Sequence, residues 1–446
     1  MLKRKIDSYL SAWKKREHFP LIVYGARQVG KTTSIREFAS KEYENLVEIN
    51  FLLNPEYKEA FKTYDVDNII QRLSYINPKF KFIANKTLIF FDEIQSFMDA
   101  TTSLKSFALD KRFDVICSGS ALGVNNNHIS SVAVGFKEEY VMKPLDFEEY
   151  LWALGYQSSF FDDVRAQLFT LKPLDSLLLN ILNDHYDEYI VLGGMPKIVN
   201  SCIETKTYSQ PYRLQKLLRK DYLDDIKQYL IGLDKAKVEK IYESILYQLA
   251  KDNHKFMFSK LGHGARFSSY FGCIEWLKDA GIILVVDGVN SLNQPLKLQV
   301  NDNNFRLYFA DTGLFMAFLD KDEERKLRIN NDFNIYKGGL YENIVLEDLD
   351  KSGFENIYFY RSEDSTVELD FLLEIQNHIV PIEVKARNGR TISLRRALEK
   401  QKLPLGIKLT RQNIGYSDGI LSLPYAVTFL LKEVIEQDAF KRLLVK

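Results

Sequence analysis

Gly25-Ala26-Arg27-Gln28-Val29-Gly30-Lys31-Thr32 follows a short apolar run at 21–24 and opens a helical stretch. The spacing G-x-x-x-x-G-K-[ST] suits a phosphate chain. Its glycines let the backbone wrap around phosphate oxygens with N–H groups inward, and the helix N-terminus adds a favourable dipole. Lys31 is expected to meet the β- and γ-phosphates, Thr32 to offer its hydroxyl to Mg²⁺, and Thr33 to reach the α-phosphate. ATP and Mg²⁺ are the ligands this loop predicts.

A second constellation supports the first. Leu88-Ile89-Phe90-Phe91-Asp92-Glu93 reads as a buried strand ending in adjacent carboxylates, with Asp92 placed to hold Mg²⁺ through water and Glu93 to polarise the attacking water. The run 113–117 ends in Ser118-Gly119-Ser120. Hydroxyls there suit contact with the γ-phosphate or orientation of water, although small polar residues at strand ends are also ordinary turn formers.

A third set lies near the C-terminus. Asp370 and Glu383-Val384-Lys385 sit on consecutive strand patterns, and neighbouring strands bring such residues onto one face, with Glu342 on the preceding helix able to join. Asp370 and Glu383 would hold Mg²⁺ at a scissile phosphate, and Lys385 would position or deprotonate water, as in PD-(D/E)xK nucleases. Glu383 and Lys385 are embedded in apolar residues, so they must be paired or metal-bound; a buried ion pair accounts for them equally well. Arg387, Arg390, Arg395, Arg396, Lys400 and Lys402 follow, either as a phosphate-binding face or as a solvated helix face. His254, His263 and His378 lack ligand spacing.

The elements that must position these residues divide the chain into three domains. Over 1–150, β-rich runs at 21–24, 46–51, 88–92 and 113–118 alternate with helical stretches, the pattern of a parallel sheet covered by helices. The stretch 151–330 is mostly helical. Within it, 237–251, a turn with Gly262 and Gly264, 270–279 and the strand-like 282–287 read as a helix-turn-helix with a β wing. From 331 to 446 strand character returns at 357–360, 367–373 and 379–384. Gly193-Gly194-Met195-Pro196 reads as a turn ending one helix and starting the next.

Composition narrows the function classes. The 446 residues carry 60 lysines and arginines against 60 aspartates and glutamates, so no global field draws the protein to nucleic acid or an anionic membrane. A hydrophobic fraction of 46% with 27% charged residues belongs to folded globular chains. Three scattered cysteines, together with the absence of a signal-like segment or a long apolar run, lead us to expect a cytoplasmic protein that does not enter membranes.

With these residues in place, the chain resembles a prokaryotic family of AAA-type ATPases with a C-terminal restriction-endonuclease-like domain of unknown function. The resemblance runs over nearly the whole chain. It rests on the loop 25–32, Phe91-Asp92-Glu93-Ile94-Gln95, Ser118-Gly119-Ser120, Pro144-Leu145-Asp146-Phe147-Glu148-Glu149-Tyr150, Gly193-Gly194-Met195-Pro196, Leu340-Tyr341-Glu342-Asn343, Glu368-Leu369-Asp370-Phe371 and Ile382-Glu383-Val384-Lys385. It implies a winged-helix segment and an extra strand between the strands bearing the phosphate loop and Asp92. Many relatives carry an arginine where this chain has Gly135-Phe136-Lys137, so the resemblance identifies no trans-acting arginine finger, leaves that role to Lys137 or an arginine elsewhere, and implies slow turnover by a monomer.

The expectation is therefore a Mg²⁺-dependent ATPase whose nucleotide state drives a winged-helix and nuclease-like module acting on DNA or RNA. The alternative is an ATP-dependent switch with a catalytically silent C-terminal domain that engages a nucleic acid, a protein partner or further copies of the chain.

Overall fold

The protein is described here from a computed structural model covering residues 2–119, 133, 135–229, 233–251, 255–320, 322–323, 325, 336–385 and 391–445. Ser120, His254, Arg387 and Arg390 lie outside the described residues. The chain divides into two compact units, one of Met1–Pro144 with Asp279–Gly281, the other of Leu145–Lys278 with Ile282–Lys446.

In the first unit, helix α1 (Lys5–Lys15) precedes β1 (Leu21–Tyr24), the phosphate loop and helix α2 (Lys31–Glu42). The remaining strands are β2 (Asn45–Asn50), β3 (Thr87–Asp92), β4 (Asp114–Gly119) and β5 (Glu138–Val141). All pair in parallel in the order β2-β3-β4-β1-β5, so β4 does separate β1 from β3. Because the strands run one way, the ends of β1, β3 and β4 open on one edge of the sheet, where such folds gather their ligand-binding loops. β1 and β3 are buried along their whole lengths, which explains their unbroken apolar runs. Phe51, Phe61, Phe91 and Phe107 interlock on one side of the sheet through edge-to-face and tilted ring contacts.

The four strands expected in this unit form within one residue of their expected positions; β5, short and polar, was not read from the sequence.

The second unit begins with helices Phe147–Ala153, Ser158–Leu168, Ser176–Leu192, Pro196–Thr205 and Ser209–Tyr229. Gly193, at φ 73°, ends one of these, and Pro196 starts the next. A side chain on Gly193 would strike the Asp311 carboxylate, and one on Gly194 the Leu145 carbonyl oxygen, so both glycines are required by close approach. Helices Lys235–Leu249 and Phe267–Asp279 then precede the antiparallel pair β6 (Ile283–Val289) and β7 (Val300–Phe309).

That pair is not isolated. β6 runs parallel to β8 (Tyr358–Arg361) within an eight-stranded mixed sheet, which therefore spans the boundary expected near 330. The sheet continues through β9 (Glu368–Ile375), β10 (His378–Val384), β11 (Gly406–Thr410), β12 (Gly415–Ser417) and β13 (Ile420–Pro424), in the order β12-β13-β11-β10-β9-β8-β6-β7. β9 and β10 form a hairpin closed by Gln376 and Asn377, at φ 49° and 61°. Two successive left-handed residues make the tight connection whose twist matches the strands, and they set the register.

One polar cluster in the first unit ties the sheet to the chain segments that follow α1 and α2. The Asp114 carboxylate, at the start of β4, accepts from Tyr43 Oη at 2.6 Å and lies 3.1 Å from His18 Nε2, while His18 Nδ1 is 2.8 Å from the Arg16 carbonyl. Burial pulls the imidazole pKa down, but Asp114, the Arg16 carbonyl and Glu138 outweigh it and hold the value above that of an ordinary histidine. The pair therefore adds stability that is complete below the unfolded histidine pKa of about 6.5 and is lost as pH rises through the higher folded value. Denaturation of His18→Gln should show a deficit on the order of 1 kcal/mol near pH 6 that shrinks toward pH 9; a deficit independent of pH would contradict this.

Candidate functional site

The phosphate loop starts where β1 ends. Gly25 has φ 150°, and any Cβ there would run into the Met142 carbonyl oxygen just past β5. Gln28 and Gly30 take left-handed angles of 66° and 100°, which fold the loop back before Lys31 begins α2. Ala26 and Val29 are buried behind it, whereas Thr33 is exposed on the first helical turn. The buried Lys31 ammonium donates to the carbonyl oxygens of Gly25 at 2.9 Å and Ala26 at 2.8 Å. Burial pushes its pKa down to about 8, against the opposing pull of Glu93 and Asp92. Arg27 adds like charge to this environment.

Asp92, at the end of β3, is the hub of the site. Its Oδ1 accepts from Thr32 Oγ1 at 3.0 Å and from the Ser118 hydroxyl, while Oδ2 accepts from Asn50 Nδ2 at 3.1 Å. Thr32 and Asp92 thus present adjacent hard oxygens, the donor type a Mg²⁺ ion takes. Glu93 adopts a left-handed conformation, φ 54°, and its carboxylate is bonded to the Gln95 side chain. A non-glycine residue held there costs on the order of 1 kcal/mol, and such strain gathers at functional turns. Lys137 pairs with Glu139 at 2.6 Å.

The C-terminal set also converges. One step beyond the last paired residues of the hairpin, Phe371 and Ile382, the Asp370 carboxylate accepts the Val384 N–H at 2.7 Å. Glu383 pairs with Lys385 at 2.6 Å, and Glu342, on the helix Lys337–Lys351, is close enough to act on both Asp370 and Lys385. Asp370 keeps some residue surface open to solvent, but its carboxyl group is enclosed. Removal from water, then the Glu342 charge, drive its pKa well above the carboxylate range, and Arg306 opposes them. Burial raises Glu383 as well, and Lys385 holds it back.

Arg306, from β7, was not anticipated. Its fully buried guanidinium donates to Glu342 at 3.3 Å and to Glu368, and lies 4.3 Å from the centre of the Phe359 ring. Tyr308 donates its hydroxyl to the same Glu342 oxygen at 2.8 Å. Next to Glu342, Asn343 accepts the Phe309 N–H at 2.8 Å and donates to the Phe309 carbonyl at 2.9 Å, closing the sheet edge at β7. Leu340-Tyr341-Glu342-Asn343 is therefore a clamp on β7. On the helix Ile392–Gln401, Arg395 pairs with Asp418 at 3.2 Å and Arg396 donates to the Thr366 carbonyl at 3.3 Å. Among the described residues, no group of three or more His, Cys, Asp or Glu side chains is gathered for a metal ion.

Residues 17–151 match a family model described as an AAA domain. The first unit is an AAA-type P-loop domain. Residues 183–325 match a model described as a domain of unknown function (DUF8612), and residues 337–426 another, DUF4143. No curated protein matches the chain. Among solved structures, it is similar to the Walker-type ATPase PABY2304 of Pyrococcus abyssi at 16% identity, covering 71% of this chain and 96% of that one, with a TM-score of 0.43. It is also similar to Aeropyrum pernix Orc1 in complex with DNA (11% identity, 71% and 92% covered, TM-score 0.29) and to the Thermotoga maritima RuvB Holliday junction branch migration motor (13%, 64% and 89%, 0.30). No helix among the described residues is long and apolar enough to cross a membrane.

In the AAA domain, sequence reasoning missed Asn50 and the contact of Gln95 with Glu93. Asn50 closes β2 in register with Asp92, so an amide at the end of the neighbouring strand was the available signal. Arg306 carried no local signal, because its partners lie on other elements. Removing it would take the buried guanidinium from Glu342 and leave Glu368 with Arg361 at 3.9 Å, and Arg306→Met is expected to lower unfolding stability by about 3–5 kcal/mol in denaturant titrations; a loss below about 1 kcal/mol would show that the acids had been solvated all along.

Proposed function

We propose that the chain binds ATP with Mg²⁺ and hydrolyses it in the AAA domain. The observation that carries this reading is the 3.0 Å bond between Thr32 and Asp92 beside the buried Lys31. In this proposal the backbone of Gly25, Ala26, Arg27, Gln28, Val29, Gly30, Lys31 and Thr32 encloses the phosphates, with Thr33 beside the α-phosphate. Thr32 and Asp92 would hold the Mg²⁺ ion, which when bound supplies positive charge to the β- and γ-phosphate oxygens. Glu93, once its carboxylate leaves Gln95, takes a proton from a water whose oxygen attacks the γ-phosphorus, and the bridging oxygen departs with ADP. Ser118 keeps Asp92 in place. Turnover should be measured for the wild type, Lys31→Ala and Glu93→Gln. Lys31→Ala is expected to lose binding, and Glu93→Gln to keep binding while turnover falls about a hundredfold or more. Equal rates in all three would remove the ATPase reading.

For the second unit the favoured reading is a module that engages nucleic acid. Two helices followed by an antiparallel strand pair have the order of a winged helix, and Asp370, Glu383 and Lys385 meet in the PD-(D/E)xK order with Glu342 beside them. The carboxylates of Asp370 and Glu383 are the hard donors a Mg²⁺ ion would take there, and Lys385 would orient water. A catalytically silent site is the second reading, favoured by Arg306 and Lys385, which already balance much of the cluster's charge. In that case the unit serves as a nucleotide-dependent binding switch toward a nucleic acid, a protein or another copy of the chain. Metal-dependent cleavage of DNA and RNA that disappears in both Asp370→Ala and Lys385→Ala supports the first reading. No cleavage by the wild type, or cleavage surviving both substitutions, favours the second.

A further inference from the structure

Three cations open the chain, Lys3, Arg4 and Lys5, yet only Arg4 is buried, at 6% exposure. Its guanidinium faces the back of the phosphate loop. Nη1 donates to the Val29 carbonyl at 2.8 Å, and Nη2 donates to the Lys143 carbonyl, just past β5, at 2.7 Å. We propose that Arg4 is a positioning residue for nucleotide binding that aims the Gly30 N–H into the phosphate cradle; the inference rests on the ATP-binding reading above.

The argument follows from the geometry of one peptide unit. Val29 and Gly30 are joined by a trans bond, the sole cis peptide of the described chain being Gln294–Pro295. In a trans unit the C=O and N–H point in opposite directions. Holding the Val29 oxygen against the back of the loop therefore turns the Gly30 N–H toward the front. Gly30, at φ 100°, has the freedom that makes such a hold necessary. Without it, the same peptide could rotate and present a carbonyl oxygen to an anion. The second bond matters as well, because Met142, next to Lys143, is the residue against which Gly25 packs. One planar fork thus fixes the loop to the chain segment behind it, a two-bond arrangement that an ammonium cannot reproduce.

Arg4 is itself held firmly. Its N–H donates to the Asp7 carboxylate at 2.9 Å and its carbonyl accepts from Asp7 N at 3.1 Å, which caps α1. Ile6, Leu10 and Trp13 on that helix are at most 1% exposed, so the base of the side chain cannot drift. The guanidinium also brings a buried positive charge to the rear of an anion site.

The test uses the full chain with Mg²⁺, ADP and pyrophosphate as calorimetric ligands, ATP turnover, and thermal melting. Arg4→Gln is expected to weaken ADP and pyrophosphate binding and to raise KM about tenfold, with kcat within about threefold of wild type. Arg4→Lys, which keeps the charge but not the fork, should lie between them. Lys3→Gln, which removes a neighbouring exposed cation, should leave affinity unchanged. If Arg4→Gln does not fold, Arg4→Lys decides: wild-type affinity and KM in it overturn the proposal. Normal ADP binding by a folded Arg4→Gln protein, or a loss confined to melting temperature, overturns it as well. Should the wild type bind ADP no better than Lys31→Ala, the nucleotide reading fails and takes this inference with it; normal wild-type binding, lost in Lys31→Ala but kept in Arg4→Gln, defeats the Arg4 role alone.

Discussion

A single carboxylate braces the edge of the first sheet. Asp92 ends β3 and accepts hydrogen bonds from Thr32 after the phosphate loop, from Ser118 on β4 and from Asn50 on β2. Four segments that the parallel topology merely brings to one edge are thereby fixed against one another. A buried acid without those donors would be costly, so the three polar partners and the acid specify each other. The chain leaves β3 through a left-handed residue, Glu93, directly after this bracing acid.

The second unit handles buried charge on a larger scale. Lys351 is enclosed with Glu347 at 3.0 Å and the Tyr189 hydroxyl at 3.0 Å, and it also reaches the Leu145 carbonyl at 3.3 Å. Asp311 accepts the N–H groups of Gly194 at 2.6 Å and Gly313 at 2.9 Å. Leu145 in turn donates its N–H to Gly194 at 2.7 Å. The two glycines read from the sequence as a turn are thus the meeting point of a buried polar network that holds the first residue of the unit. Breaking one partner of such a network costs more than the pair contributes, because the other is left buried and uncompensated.

What could be read from the chain, and what could not, divides along locality. The phosphate loop and the Asp92–Glu93 strand end are contiguous, and their neighbours along the chain carry the strand-to-helix context, so both were legible. β9 and β10 were legible for the same reason, with the apolar frame around Glu383 marking its burial. Arg306 was not, because it lies on a strand whose first residue, Val300, is followed by the polar Asn301, Asp302, Asn303 and Asn304, and its partners come from elements far along the chain. The parallel pairing of β6 with β8 was hidden likewise, since alternation along one strand says nothing of a distant partner. Arg4 resembled any basic terminus until its two carbonyl partners were in view.

The turn at Gln376 and Asn377 carries a consequence for how the C-terminal cluster is specified. Strand side chains alternate between faces, so a one-residue change at this turn that shifted the pairing of β9 with β10 by one would put Asp370 and Glu383 on opposite faces without altering either residue. The cluster is thus encoded partly as a length. Two residues that touch none of its charges decide whether its acids and its lysine meet.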